Sequence, residues 1–279
     1  MKYRFAISLC FLSLLFGCQD KPIEKQAYKD QDGVFVEIID SVGDGKSNPY
    51  NADNAIYLPE KEYIFDYRYF TKEGQECRFS REGYDILSVE KLTTTTVTKL
   101  SLRAARDNTI LDGESDYDQT VMHYDYYLYN DSVSWPREWS GLIENEKNVW
   151  MHPWRRTRYF NYLQINPYPF IKKPYEIGNS WGWNLEVGSQ WGNPAWATWE
   201  GNLAFNHHYE IVGKKEIATD FADKISCYVV EAKGVSRIGE TRLTSYFNEE
   251  YGFVQFEYLN IDSSRIVINL IEVRDFSKP

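Results

Sequence analysis

Ile225-Ser-Cys-Tyr-Val-Val-Glu-Ala232, Glu240-Thr-Arg-Leu-Thr-Ser-Tyr-Phe247, Phe253-Val-Gln-Phe-Glu-Tyr-Leu259 and Arg265-Ile-Val-Ile-Asn-Leu-Ile-Glu-Val273 follow one another in the last quarter of the chain. All four runs are rich in β-branched and aromatic residues, which suit a pleated, half-buried surface. In the third, Val254, Phe256 and Tyr258 share one face and Gln255 and Glu257 the other, a period of two that marks a strand with one wet face. The fourth is largely apolar on both faces over Ile266 to Leu270, which places it centrally. Lys233 to Gly239, Asn248 to Gly252 and Asn260 to Ser264 supply Gly, Asn, Asp and Ser where the chain must reverse. Connections this short cannot hold parallel crossovers, so the sheet is antiparallel.

Working outward, Tyr63 to Tyr69 alternates in the same way, with Tyr63, Phe65, Tyr67 and Tyr69 opposite Asp66 and Arg68. Further strands are expected at Gly33–Ile39, Glu76–Ser80, Ile86–Leu92, Thr94–Leu102, Val121–Tyr129 and Trp181–Val187, with two more between Trp196 and Ile217. Asn130 to Ser180 carries Pro136, Pro153, Pro167, Pro169 and Pro174, so long regular elements are not expected there; a short helix has room near Pro153 to Tyr162. The fold class is all-β: one large, curved antiparallel sheet, a half-barrel or open barrel, with short helices or none. Residues 33–279 form a single β domain, and 165–180 is the place where it would divide.

The 279 residues carry a formal net charge of −10. Such an acidic chain does not suit nucleic acid, whose phosphates need Lys and Arg, or docking on anionic lipid. Met1 to Arg4 is a short basic stretch and Phe5 to Phe16 an apolar one, too short to span a bilayer. Leu15-Phe16-Gly17-Cys18 resembles the lipobox of bacterial lipoproteins. That resemblance implies a signal peptide over 1–17, cleavage before Cys18, and a diacylglyceryl thioether with an added acyl chain such as palmitate on Cys18. Cleavage removes two basic residues and no acid, which takes the mature chain to −12. Two or more acyl chains hold a protein stably on a membrane. Gln19, where inner-membrane retention would use Asp, implies an outer-membrane address, on the periplasmic or surface face. Residues 18–32 are polar and read as a flexible tether.

No catalytic constellation emerges. Gly178-Asn-Ser-Trp-Gly182 has the letters of a nucleophile elbow around Ser180, but that motif needs a strand, a sharp turn and a helix, and a strand follows here. His207 and His208 are adjacent on a strand and point to opposite faces, so with His123 and His152 they do not form a metal site. The Asp40–Asn54 loop has calcium-type side chains, yet Val42 stands where an EF-hand needs an oxygen ligand. Glu186 and Glu200, beside Trp183 and Trp199, are the carboxylates a glycan-active hydrolase would pair. No cofactor is expected. Cys77 and Cys227 lie in strands, and either form a disulfide or are two separate buried thiols. All nine Trp fall between Trp135 and Trp199; Trp181, Trp183, Trp196 and Trp199 either line a ligand surface or fill the core.

Pro174-Tyr-Glu-Ile-Gly-Asn-Ser-Trp181, Tyr209 to Lys214, Cys227 to Val230 and Tyr246 to Val254 together resemble uncharacterised lipoproteins of Bacteroidota. Some of these are similar to the half-barrel of periplasmic lipoprotein carriers, a curved sheet with an apolar concave face. The resemblance implies a non-catalytic, membrane-anchored protein that binds an apolar or glycan ligand or acts as an envelope accessory. Its partners would be the membrane, through the N-terminal lipid, and a lipid, glycan or envelope protein. The helical lid of the carriers has no counterpart in this sequence.

Overall fold

The computed structural model describes residues 27–29, 35–37, 54–81, 86–106, 119–134, 137–155 and 160–277. The signal peptide, Cys18, Gln19, the acidic loop 107–118 and all of the calcium-type loop but Asn54 lie outside the described residues. The strands, in chain order, are β1 (Ala27–Lys29), β2 (Phe35–Glu37), β3 (Lys61–Phe70), β4 (Glu76–Phe79), β5 (Ile86–Ser88), β6 (Val97–Ala104), β7 (Thr120–Leu128), β8 (Glu138–Glu144), β9 (Asn148–Met151), β10 (Phe170–Lys172), β11 (Ser180–Gly188), β12 (Asn202–Ile217), β13 (Ile225–Ser236), β14 (Gly239–Asn248), β15 (Gly252–Leu259) and β16 (Arg265–Asp275). They form one sheet in the order β1-β2-β11-β12-β13-β14-β15-β16-β3-β6-β7-β8-β9-β10, with β4 and β5 as a flap on β3. Every pairing is antiparallel. The described residues contain no α-helix, only short 3-10 turns at Val89–Lys91, Asn161–Ile165 and Ser189–Trp191.

The sheet is nearly closed into a barrel. Phe170 of β10 packs edge-on against Trp181 of β11 and Tyr209 of β12, with ring centroids 5.3 and 5.4 Å apart. The Tyr209 hydroxyl donates to the Tyr168 carbonyl at 3.2 Å. Side chains therefore join β10 to β11 and β12, which no ladder pairs with it.

Period-two alternation generates the inner face. Tyr63, Phe65, Tyr67, Leu100, Leu102, Tyr124, Tyr126, Phe256, Ile266 and Ile268 all point inward and are buried. One barrel-length core results. β12 shows the alternation at its longest: Leu203, Phe205, His207, Tyr209 and Ile211 are buried, and the residues between them are exposed. The two strands expected between Trp196 and Ile217 are thus a single strand. Its unbroken pattern continues through a bulge between Ile211 and Gly213 and needs no turn.

The last quarter forms the expected meander, with its first turn shortened. β13 runs to Ser236, so Lys233 and Gly234 are ladder residues and the reversal is confined to Arg237 and Ile238 before Gly239 at φ +140°. Ile86–Leu92 is also shorter than expected, because the Ser88 hydroxyl accepts from Glu90 N and turns the chain. β8, β9 and β10 occupy the Pro-rich region, each fitting between prolines. The helix allowed near Pro153 is the 3-10 turn Asn161–Ile165. β1 pairs with β2, so the sheet already begins within the segment read as tether.

At the other end of the barrel, the Glu144 carboxylate accepts from the backbone N–H groups of Ala55, Ile56 and Tyr57 at 2.8, 2.8 and 3.0 Å. One β8 side chain thereby fixes the entry to β3 by satisfying three amides that have no ladder partner.

Candidate functional site

The inside of the barrel is the place where a carrier would hold its ligand, and here it is occupied by the chain itself. Between β9 and β10 the chain crosses the concave face. Trp154 packs against Phe65, Tyr124 and Phe256 at 5.0, 5.5 and 6.0 Å. Phe160 sits edge-on to Tyr67 and Phe79, and Leu163, Ile165 and Tyr168 are fully buried. Polar ties fix this plug in place. The Tyr124 hydroxyl donates to His152 O at 2.6 Å, Thr241 Oγ1 to Ile165 O at 3.3 Å, and Asn166 Nδ2 to Asn260 Oδ1 at 3.0 Å. Arg155 Nη1 donates to Gln164 Oε1 at 3.1 Å, both residues being buried. The prolines that prevent regular structure leave the irregular backbone such a crossing needs.

The tryptophans divide accordingly. Trp181 stacks on Tyr209 at 5.6 Å and Trp183 meets Trp150 and Tyr168 at 5.7 and 4.9 Å. They are 8% and 2% exposed and belong to the core. Trp196 packs on Tyr162 at 4.5 Å, and Trp199 Nε1 donates to Val187 O at 3.2 Å. These two are half-buried at the rim, so the four candidates do not share one open face. Among the described residues the exposed indole is Trp139, on the outer face of β8 against His123. Sequence reasoning passed it over because its segment lacks long alternation.

The four histidines are separated. His123 is half-buried on the outer face, His208 exposed, and His152 and His207 buried inside. No metal cluster is present among the described residues. His207 lies between Trp183, Phe205 and Tyr209, and neither of its ring nitrogens has a hydrogen-bond partner. Burial alone pushes its pKa down to about 3. A Cβ on Gly234, the cross-strand neighbour of His207, would stand 2.8 Å from the imidazole, so this ring is seated only because β13 has glycine there.

Ser180 opens β11, exposed and facing Glu210 in register, with strand and not helix following. Glu186 and Glu200 are exposed. The buried carboxylates are Glu62, Asp125 and Glu144. Glu62 accepts from Ser101 and Tyr127, Asp125 pairs with Arg137 at 3.1 Å, and Glu144 holds its three amides. Each is committed to structure. Cys77 and Cys227 are free and buried, so the disulfide alternative gives way to two separate thiols. Cys77 of β4 faces Tyr69 of β3 and Cys227 of β13 faces Lys215 of β12, with β14, β15, β16 and β3 lying between their strands in the sheet order.

The outer face carries a concavity. A groove of about 360 Å³ lies across β12, β13 and β14, bordered by His208, Glu210, Val212, Glu231, Lys233 and Arg242. The register sets like charges opposite one another: Glu210 faces Glu231, and Lys233 faces both His208 and Arg242. Lys233 reaches diagonally to Glu240 at 2.7 Å, and Arg242 approaches the same carboxylate at 3.9 Å. That contact holds the Glu240 carboxyl below its usual range. Like charges directly opposite destabilise a ladder, and this sheet keeps two such rungs side by side.

No protein-family model matches this sequence, and no curated protein matches it. Among solved structures, the chain aligns with a protein of Bacteroides fragilis NCTC 9343, described as exported and as having a YmcC-like fold, at 11% identity and a TM-score of 0.43 over 79% of this chain and 99% of that one. A protein of Parabacteroides distasonis ATCC 8503, described as a lipoprotein, aligns at 10% identity and a TM-score of 0.43 with the same coverage.

Proposed function

We propose that this chain is a lipid-anchored protein of the bacterial cell envelope, without catalytic activity, that works through the outer surface of a solid barrel. The observation that carries this reading is the plug. A lipid carrier of the half-barrel type needs a vacant apolar trough, and here the concave face is covered by Trp154, Phe160, Leu163, Ile165 and Tyr168, all fully buried. The anchor rests on the sequence at Leu15 to Cys18, where two or more acyl chains would bind the membrane stably. The outer-membrane address follows from Gln19. The barrel is then a rigid accessory body held beside the bilayer.

The test is metabolic labelling with radiolabelled palmitate, followed by separation of the membranes on a density gradient. Label should enter the wild-type chain, be lost in Cys18→Ser, and travel with the outer membrane. Equal labelling of the two chains removes the anchor, and label in the inner-membrane fraction removes the address.

A further inference from the structure

We infer that the groove across β12–β14 is a binding site for the zwitterionic phosphoethanolamine headgroup of a membrane lipid. This inference rests on the lipid-anchored reading above. The two rungs of like charge lie two residues apart along β13, about 7 Å. Glu210 and Glu231 form the acidic end, and no cation pairs with them among the described residues. Lys233 and Arg242 form the basic end, with Glu240 shared by both and His208 across from Lys233. A primary ammonium can donate to both carboxylates while its phosphate accepts from the guanidinium and the lysine, whose remaining donors Glu240 does not use. An occupant carrying one charge of each sign satisfies both rungs. A purely anionic or purely cationic one satisfies only one, and the net charge of −10 repels anionic surfaces as a whole. Val212, itself 39% exposed at the β12 bulge, gives the groove an apolar lip.

The anchor determines which source of this chemistry the groove meets. From Cys18 to Ala27, where β1 begins, the chain reaches at most about 30 Å when fully extended. β1 and β2 join the sheet beside β11, immediately before β12–β14 in the sheet order. Strands lie about 5 Å apart, so the groove stands within a few strand widths of the point where the tether enters the barrel.

The experiment uses the full mature chain carrying Cys18→Ser, so that acylation does not itself hold it to membranes. Its co-sedimentation is measured with vesicles of phosphatidylcholine alone, of phosphatidylethanolamine with phosphatidylcholine in equal parts, and of phosphatidylcholine with phosphatidylglycerol. Binding should be strongest to the vesicles containing ethanolamine, because the trimethylated ammonium of choline has no hydrogen to donate. Glu231→Lys should weaken that binding about tenfold, the equivalent of one charge-assisted contact. Its Tm should equal or exceed that of the parent, since the new side chain faces Glu210 with opposite charge. Arg242→Gln should weaken binding as well. Equal binding to choline and ethanolamine vesicles, a preference for the anionic ones, or undiminished binding by Glu231→Lys would each overturn the site. Palmitate labelling is read separately: a labelled chain with no ethanolamine preference removes the groove and leaves the anchor, and an unlabelled chain removes the anchor whatever the vesicles show.

Discussion

His207→Leu isolates one consequence of the filled interior that can be measured in kilocalories. In the folded chain the imidazole is buried among Trp183, Phe205 and Tyr209, and burial lowers its pKa from 6.5 to about 3. The unfolded chain therefore takes up a proton first as pH falls. The stability this histidine contributes is fully present above pH 6.5, erodes as pH drops below that value, and stops eroding near pH 3, where the folded form also titrates. At pH 5 linkage gives a loss of about 2 kcal/mol from this one residue, and at pH 7.5 about 0.1 kcal/mol. The pH 5 figure hardly depends on where the folded pKa lies below 4, because the folded ring is then neutral at pH 5 in any case. Urea unfolding of both proteins at pH 7.5 and pH 5 reads the effect directly. Wild type should lose about 2 kcal/mol more than His207→Leu between the two pH values, since every other titrating group, His152 included, contributes equally to both. The leucine also removes two nitrogens without partners, so at pH 7.5 the variant should be no less stable by more than the repacking cost, about 1.5 kcal/mol. Identical pH dependence in the two proteins would mean that the ring is hydrated or partnered in solution, and the account of a dry interior at β12 would fail.

Other consequences follow from single contacts. Trp154→Ala should cost about 3–5 kcal/mol in chemical denaturation, because the ring touches β3, β7 and β15 at once and none of them can collapse into the space. Glu144→Gln should cost about 1.5–3 kcal/mol, since three amides lose a charged acceptor. Gly252→Ala should cost at least about 1–2 kcal/mol from its φ of +72° alone, and the new Cβ would stand 2.3 Å from the Tyr57 hydroxyl that accepts from Phe253 N. A thiol reagent at pH 8 should leave the native described barrel unlabelled at Cys77 and Cys227 and label both in denaturant, as burial raises both thiols, Cys227 to about 12; rapid native labelling of Cys227 would contradict its position.

The strands were most legible where inward apolar side chains recur at every second residue. β3, β7, β11 and the closing meander carry that alternation in their residues, and β12 carries it so regularly that only a preference for shorter strands divided it. The order in which strands pair was less legible. β16 lies beside β3, about 200 residues earlier in the chain, and no local pattern in Arg265–Asp275 or Lys61–Phe70 encodes that meeting. The plug was not legible either. Residues 152–155 and 160–169, with three prolines and aromatics in no regular period, read only as irregular chain; their burial depends on a cavity that exists only after closure. For the same reason the tryptophans were ambiguous: Trp181 and Trp183 have the spacing of a stacking surface, and what covers them comes from Tyr168, Trp150 and Phe170, distant elements that arrive through the fold.

The size of the sheet explains why a plug exists at all. A closed barrel of about eight strands encloses an interior that its own side chains fill, and one of roughly sixteen or more leaves a channel. The path around the barrel has fourteen strands, between those limits, so the inward Tyr, Phe and Leu side chains leave the middle to be filled. Something must occupy the middle: solvent, a ligand or the chain. Residues between β9 and β10 do so, with rings large enough to touch several strands at once, as Trp154 does on β3, β7 and β15. Once the interior is taken, recognition is left to the outer face, and there a groove holds the acidic rung Glu210/Glu231, unpaired among the described residues, beside a basic rung that shares one carboxylate, Glu240. Core and surface thus have opposite logic in this molecule. Inside, several polar groups are tied down, as at Tyr124, Thr241 and Asn166, and the imidazole of His207 is held neutral. Outside, at β12–β14, the sheet retains charge that its own neighbours do not neutralise, and that charge is what an external partner can use.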